Sequence, residues 1–349
     1  MVDYLFLFQN YLVAICLIAP ILGYGFLTLK LLKSNDILKT PILNIFLSGL
    51  LGLCALSIVT IILNFIIPIS KIVSLTVLFI GFLLFVTYFK NATIQFTTKS
   101  GTLFLAIFFF TFTISQIGYP NFGQDTSGYH IQCVKWFEES TVPIGIAELN
   151  LHFALNNAIF ALGAIFDVGY FKNTSIFITN GFFVFFWIIG IVYSLTTKKQ
   201  LSSLYMALSI IILELSTYKF LGNLYSELST AVISITLIYL LILYSEKKQY
   251  NVFKIIVALA MFGATLKLSM IVFGIVTILV AIIFNPSTIK RNFLSSLLIS
   301  LIIIIPWICR NIYMSGMIIF PINATALPLE WTIDSQTCKD FAKYVMDWA

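Results

Sequence analysis

Long apolar segments alternate with short polar loops along most of this chain. A bilayer core about 30 Å thick needs roughly 20 helical residues to cross it, and fewer where a helix is short or broken. Runs of this kind predict an all-α membrane protein with about ten transmembrane helices. The predicted spans are 5–29, 42–67, 71–89, 102–118, 174–195, 202–217, 227–244, 252–266, 268–285 and 293–309.

A longer polar interval, residues 119–173, separates the fourth predicted span from the fifth. Within it, 126–139 has the period of an amphipathic helix, with Tyr129, Cys133, Trp136 and Phe137 on its apolar face. The segment 152–168 is apolar, but Asn156 and Asn157 in its middle make a lipid-exposed span unfavourable. We therefore expect an amphipathic helix followed by a re-entrant or interfacial helix that does not cross the membrane.

Composition agrees with a membrane protein, because 60% of the residues are hydrophobic and only 10% are charged. Soluble domains carry about 25% charged residues. Lys and Arg mark cytoplasmic loops, and they gather in the loops around Lys33, Lys90, Lys198, Lys248 and Arg291. If these loops lie on the cytoplasmic side of the plasma (inner) membrane, ten spans place both termini and the interval 119–173 on the extracytoplasmic face. The basic residues form no run typical of nucleic-acid binding, so no nucleic-acid partner is expected.

On this topology four charged residues from distant segments approach the outer membrane surface: Asp125, Glu227, Lys267 and Arg310. Each has an ordinary alternative. Asp125 can cap the helix that follows it, and Glu227 suits the start of a span. Lys267 and Arg310 can extend to lipid headgroups. The functional alternative is that carboxylates take a proton or hold a metal while cations neutralise a leaving phosphate.

The sequence contains no motif of a zinc site, a nucleotide-binding site or a serine hydrolase. His130 and His152 can be ordinary interfacial aromatics, and no His/Cys spacing indicates zinc. There is no P-loop, no dinucleotide-binding glycine motif after a strand, and no GxSxG motif. The charged residues at the outer surface are therefore the main candidates for chemistry.

The stretch 124-QDTSGYHIQCVKWFEESTVPIGIAELNLHFALNNAIFALGAIF-166 resembles the GT-C-type polytopic membrane glycosyltransferases. More closely, it is similar to a bacterial group of uncharacterised multipass membrane proteins associated with surface-polysaccharide genes. Further matches are 265-TLKLS-269 and 310-RNIYMSGMIIFP-321, so that the resemblance spans roughly residues 100–335. The residues that carry the first block are Asp125, Thr126, Tyr129, His130, Lys135, Trp136, Val142, Pro143, Gly145, Leu151, His152, Asn156 and Asn157.

The resemblance implies one integral membrane domain over 1–349, with an N-terminal three-helix part (1–100) and a GT-C-like part (101–349). Because GT-C enzymes carry the catalytic acid in the first large outer loop, Asp125 inherits that role. Glu227 takes the place of a second acidic residue, although the preceding Tyr-Ser departs from the more proline-rich pattern expected there. The predicted substrate-binding residues are His130, Lys135, His152 and Asn156 on the acceptor side, and Lys267 and Arg310 at the donor phosphate. Whether Asp125 holds a divalent cation, Mg or Mn, is a question that the resemblance leaves open.

The expected function is transfer of a sugar from a polyprenyl-phosphate donor on the extracytoplasmic face, in the synthesis of a cell-surface polysaccharide or glycoconjugate. Its partners would be the lipid-linked donor, membrane lipids and a glycan or lipid acceptor. A polysaccharide polymerase or ligase is one alternative; it would need essential arginines in outer loops, where only Arg310 is available. A non-enzymatic transporter of lipid-linked glycans is another, and Glu214 is its one mid-membrane candidate.

Overall fold

A computed structural model describes residues 4–34, 41–89, 98–117, 124–196, 200–214, 221–247 and 250–347. These residues are helical, and they form no strand, only one isolated bridge between Met317 and Ala326. The helices are α1 (Tyr4–Leu31), α2 (Pro41–Asn64), α3 (Lys71–Phe89), α4 (Thr98–Ile117), α5 (Ile131–Glu139), α6 (Ile146–Leu149), α7 (Ala158–Phe166), α8 (Ser175–Thr196), α9 (Leu201–Glu214), α10 (Ser226–Lys247), α11 (Tyr250–Leu266), α12 (Met270–Phe284), α13 (Ser287–Ser315) and α14 (Ser335–Asp347). A π-helical turn (Thr126–His130) leads into α5, and 3₁₀ turns lie at Leu151–Ala154 and Asn323–Thr325.

Six helices in the described ranges are long and apolar enough to cross a membrane. They are Tyr4–Leu31, Ile42–Asn64, Lys71–Phe89, Ser175–Leu195, Ser226–Glu246 and Arg291–Ser315. The segments Gly101–Ser115, Asn251–Leu266 and Met270–Phe284 are apolar but shorter. The protein is therefore an all-α membrane protein, while the predicted count of about ten spans is not confirmed.

Some predictions fall on parts of the chain that the structure does not describe. The predicted cytoplasmic loops around Lys90, Lys198 and Lys248 lie outside the described residues, and so does the end of the predicted span 202–217. The side chain of Glu214 is also outside them.

The first three helices pack at close range. A Cβ atom at Gly23 would lie 1.9 Å from the carbonyl oxygen of Gly81 in α3, and one at Gly25 would lie 1.8 Å from the carbonyl oxygen of Ser48 in α2. Only glycine permits these backbone approaches, and small residues at helix interfaces are typical of membrane bundles.

Polar contacts between helix ends occur at both ends of the bundle and show which helix ends lie together. At one end, Ser202 Oγ donates to Glu246 Oε2 at 2.6 Å, and Lys254 Nζ donates to the Leu32 carbonyl at 3.2 Å. At the other end, Gln9 Nε2 donates to Thr174 Oγ1 at 2.7 Å, and Asn64 contacts the end of α5. The described parts of the loops predicted to be cytoplasmic therefore meet at one end of the bundle, opposite the interval 124–173.

The segment 152–168 forms the 3₁₀ turn and α7, whose nine residues are all buried. A nine-residue helix is about 14 Å long, which is less than half of the bilayer core. Helix α7 packs against α2, α8 and α5, so it is enclosed by protein. That the segment does not cross the membrane stays a prediction.

Helix α5 lies on α7 through the apolar face that its sequence predicts. Cys133 and Phe137 are buried, and Val134 packs close to Gly163 of α7. Glu139 on the opposite face is exposed. Because α5 follows directly from the π-helical turn, its packing fixes the position of Asp125 and His130.

Candidate active site

Asp125 lies at the start of the π-helical turn with its side chain free of any capping role. Its backbone is already helical (φ −68°, ψ −38°), and its carboxylate makes no capping hydrogen bond. The interpretation of Asp125 as a helix cap is therefore wrong for this structure. Partial burial raises the pKa of Asp125; the charge of His152 opposes this effect, and that of Glu227 adds to it. The carboxyl group thus lies within electrostatic range of two other predicted site residues.

Glu227 and Lys267 form an ion pair in which Lys267 Nζ lies 2.9 Å from Glu227 Oε1. Glu227 stands in the first turn of α10, where the helix dipole favours a negative charge. Lys267 stands in the turn between α11 and α12. Their side chains are 43% and 38% exposed respectively. Pairs this exposed contribute only about 0–1 kcal/mol to stability, so either partner can be released to a ligand at small cost.

His130 is buried beneath this surface and is 3% exposed. Its ring centroid lies 4.4 Å from that of Tyr129, 5.2 Å from that of Phe160 and 5.1 Å from that of Tyr225. Burial lowers the pKa of His130 to about 4, against the opposing charge of Glu227. The imidazole is therefore neutral at neutral pH and supports the site from below.

His152 is half-buried and is held by its neighbour in the 3₁₀ turn. Its backbone N–H donates to Asn150 Oδ1 at 2.9 Å, and its Nδ1 lies 3.1 Å from the same oxygen. Burial lowers the pKa of His152, and the charge of Asp125 opposes that shift. The ring contacts Tyr129 on one side and Phe341 of α14 on the other, at centroid distances of 4.9 and 5.0 Å. The C-terminal helix therefore borders the site.

Two tyrosines complete the site, and sequence reasoning did not assign them to it. Tyr225 precedes α10, and its phenol makes a hydrogen bond with the backbone of Asp125. Burial and the charges of Asp125 and Glu227 raise the pKa of Tyr129. The one available signal is the position of Tyr225 two residues before Glu227. There the Tyr-Ser pair departs from the family pattern. We call Asp125, Tyr129, His130, His152, Tyr225, Glu227 and Lys267 the Asp125 cluster.

Asparagine 180 of α8 fixes one side of this cluster. Its Nδ2 donates to the carbonyl oxygens of Asn223 and Tyr225, both at 2.8 Å. These bonds hold the backbone that leads into α10, and therefore set the positions of Tyr225 and Glu227.

Arg310 and Asn156 are two further predicted site residues, and both line a cavity beside Cys133 and Phe137 of α5. Arg310 is only 3% exposed, so the lipid-headgroup alternative is wrong for this residue. Its Nη1 donates to Asn64 Oδ1 at 2.6 Å, and its guanidinium carbon lies 3.7 Å from the centroid of the Phe137 ring. Asn156 Nδ2 donates to the carbonyl of Trp307 at 2.8 Å. The predicted substrate-binding roles of both residues stay predictions.

Lys135 is half-buried on α5, and the described residues offer it no ion pair. The described residues also contain no group of three or more His, Cys, Asp or Glu side chains placed to hold a metal ion.

A family model described as "Domain of unknown function (DUF8201)" matches residues 8–349, nearly the whole chain. The chain belongs to the DUF8201 family. No curated protein and no solved structure matches it. The DUF8201 match contains both the Asp125 cluster and Arg310, so that the candidate site belongs to the family domain and not to an appended segment.

The chemistry open to this DUF8201 site follows from its exposed groups. Asp125 offers an exposed carboxylate that makes no capping hydrogen bond, and carboxylates can accept a proton from a hydroxyl. Lys267 offers an ammonium group that is paired only with a half-exposed Glu227. A proton acceptor beside a releasable cation suits the attack of a hydroxyl on a substrate with an anionic leaving group.

Proposed function

We propose that this protein is a GT-C-type glycosyltransferase that uses a polyprenyl-phosphate-linked sugar in cell-surface polysaccharide or glycoconjugate synthesis. One observation carries the proposal: Asp125, His152, Glu227 and Lys267 come from separate segments and meet at one surface patch. Their grouping is supported by the charge interactions at Asp125 and by the ion pair between Glu227 and Lys267.

In this proposal Asp125 is the general base, or a ligand of a divalent cation that the substrate helps to bind. A base must be accessible to its substrate, and the side chain of Asp125 is exposed and makes no capping hydrogen bond. Glu227 holds Lys267 in place until the donor arrives. The ammonium then neutralises the phosphate that leaves with the lipid.

The remaining predicted residues shape the surroundings of the reacting groups. His152 and Lys135 are assigned to the acceptor, as the resemblance implies. His130 is neutral and buried, and it supports Tyr129 and Tyr225. Arg310 faces an internal cavity of about 10 Å³, so α5 would have to move before Arg310 could reach a donor phosphate.

The proposal also includes ten spans in the plasma membrane, with the Asp125 cluster on the extracytoplasmic face. The grouping of helix ends supports this arrangement, because Lys254 and Glu246 lie at the end opposite to the cluster. A donor carried by a polyprenyl chain could then enter from the bilayer beside α10 and α12.

The deciding experiment replaces Asp125 with Asn in a deletion strain and follows surface glycan and lipid-linked intermediates. Removal of a general base costs about 10²–10⁴-fold in rate. Because the side chain makes no capping bond, Asp125→Asn should reach wild-type membrane levels with almost no glycan product. Asp125→Glu should recover little, since its carboxylate is displaced.

Glu139→Gln is the matched control, because Glu139 is an exposed carboxylate on α5. It should leave glycan synthesis unchanged. Wild-type glycan from Asp125→Asn would overturn the catalytic role and favour a binding or transport protein.

A further inference from the structure

Arg310 is a buried cation without an acidic partner in the described parts of the chain. Arginine stays charged in proteins, and a buried charge without compensation is strongly unfavourable. Its guanidinium donates to Asn64 Oδ1 at 2.6 Å and lies over the ring of Phe137. Neither group carries a net negative charge, so the positive charge is not neutralised by the protein around it.

The guanidinium lines an internal cavity between α5, α7, the 3₁₀ turn and α13. The cavity has a volume of about 10 Å³, which is room for roughly one water-sized occupant. Most of its remaining wall is apolar and includes Phe153, Leu155, Phe160 and Met314. An apolar wall strengthens the attraction between the guanidinium and any charge placed inside.

A second hydrogen-bond donor belongs to the same cavity. Trp136 lines it, and the indole Nε1–H of Trp136 is buried with no hydrogen-bond partner. Cys133 also lines the cavity, but burial raises the pKa of its thiol to about 12, so it is neutral at neutral pH. The described lining therefore supplies a positive charge and an unused N–H donor, and it supplies no negative charge.

We infer that this cavity binds one small monatomic anion, with chloride as its physiological form, between the guanidinium of Arg310 and the indole N–H of Trp136. A single such ion neutralises the buried charge and satisfies the unused donor together. A volume of this size, room for about one water, suits a monatomic anion better than a phosphate ester. The inference does not depend on the proposed function, because it uses no residue of the Asp125 cluster.

The test measures thermal unfolding of the full-length protein in detergent, at constant ionic strength and pH, as sodium gluconate is replaced by sodium chloride or bromide. A ligand that binds only the folded state raises the unfolding midpoint with its concentration. We expect the midpoint to rise by about 2–4 °C in either halide. A parallel titration with sodium phosphate should give no rise beyond the gluconate reference.

Variants of the residues that line the cavity test whether the rise of the unfolding midpoint in halide depends on it. Trp136→Phe keeps an aromatic side chain but removes the N–H donor together with the five-membered ring of the indole, so it should need a several-fold higher halide concentration for the same rise. Arg310→Met should abolish the rise. Arg291→Met is the matched control, because Arg291 is an exposed arginine on the same helix, and it should respond as the wild type does.

Trp136→Phe also serves if Arg310→Met does not fold. Equal midpoints of the wild type in halide and gluconate would mean that the cavity holds water only, and would overturn the inference. An undiminished halide response in Trp136→Phe would overturn it too, as would stabilisation by phosphate but not by halide. The last result would instead support the predicted contact between Arg310 and a donor phosphate.

Discussion

The carboxyl groups of Glu138 and Asp167 interact at the junction of α5, α7 and α8. Two adjacent carboxyls must share a proton. Asp167 accepts from the backbone N–H groups of Asn173 and Thr174, both at 3.0 Å, so it is the ionised partner. Glu138 therefore carries the proton. Burial, followed by the charge of Asp167, raises the pKa of Glu138 to about 8.

This pair predicts that the protein becomes less stable as the pH rises above the pKa of an ordinary glutamate. Between about pH 4.5, where an unfolded Glu ionises, and about pH 8, the folded protein holds a proton that the unfolded chain has lost. The loss is at most about 1.4 kcal/mol per pH unit. Glu138→Gln should flatten this slope, as measured by thermal unfolding between pH 5 and pH 8. Glu139→Gln, its exposed neighbour, should keep the slope, and an equally steep slope in Glu138→Gln would contradict the shared proton.

At the same scale, a double variant can show whether the ion pair between Glu227 and Lys267 serves stability or function. Exchanging both residues, Glu227→Lys with Lys267→Glu, preserves the pair but puts a cation at the α10 N-terminus. Because the pair is half-exposed, the double variant should unfold within about 1 kcal/mol of the wild type. It should nevertheless make no glycan, because the phosphate-binding cation has moved. Normal glycan in the complemented strain would assign the pair to stability alone.

At the scale of elements, long-range packing sets the site more than any single helix does. Helix α7 is too short to span the bilayer, yet it supports α5 and hence Asp125 and His130. Helix α8 is lined with buried aromatics such as Phe182 and Phe185, and through Asn180 it fixes the chain that enters α10. The candidate site is thus assembled where α5, α10 and the turn before α12 meet.

The bonds of Asn180 give a prediction for this assembly. Asn180→Ala removes donors from two buried carbonyl groups, at a cost of roughly 1–3 kcal/mol for each one left without a donor. We expect a lower unfolding temperature and reduced glycan synthesis even in the fraction that stays folded, because Tyr225 and Glu227 lose their support. Asn157→Ala is the control, since Asn157 makes no capping bond at α7. Equal stability of the two variants would argue against this role of Asn180.

At the scale of the whole molecule, the two ends of the bundle differ in charge and in chemistry. Lys254 and Glu246 lie at one end, and the Asp125 cluster lies at the other. The proposed orientation places the first end in the cytoplasm, where short loops are rich in Lys and Arg.

Single cysteines in a cysteine-free background test this orientation with a membrane-impermeant thiol reagent on intact cells. Cysteines at Gln200 and Ser287, both exposed at the proposed cytoplasmic end, should be labelled only after the cells are permeabilised. Cysteines at Ile144 and Glu330, exposed near the opposite end, should be labelled directly. Direct labelling at Gln200 would reverse the assignment of α8 and α9.

The sequence by itself determined the helices, because burial of apolar side chains in lipid depends on local runs that can be read directly. It also located α5 and its apolar face, the short buried segment that contains α7, and the charged residues from which the candidate site is built. Periodicity and span length are local properties, so these predictions needed no knowledge of the fold.

Only the tertiary structure decided which of those residues meet. It paired Lys267 with Glu227, brought Tyr225 to Asp125, and left Asp125 free of a capping bond. It also enclosed Arg310 inside the protein, where the sequence had allowed it to reach headgroups. A charged residue near a helix end looks the same in sequence whether it faces lipid, water or a neighbouring helix, because its surroundings come from segments far away along the chain.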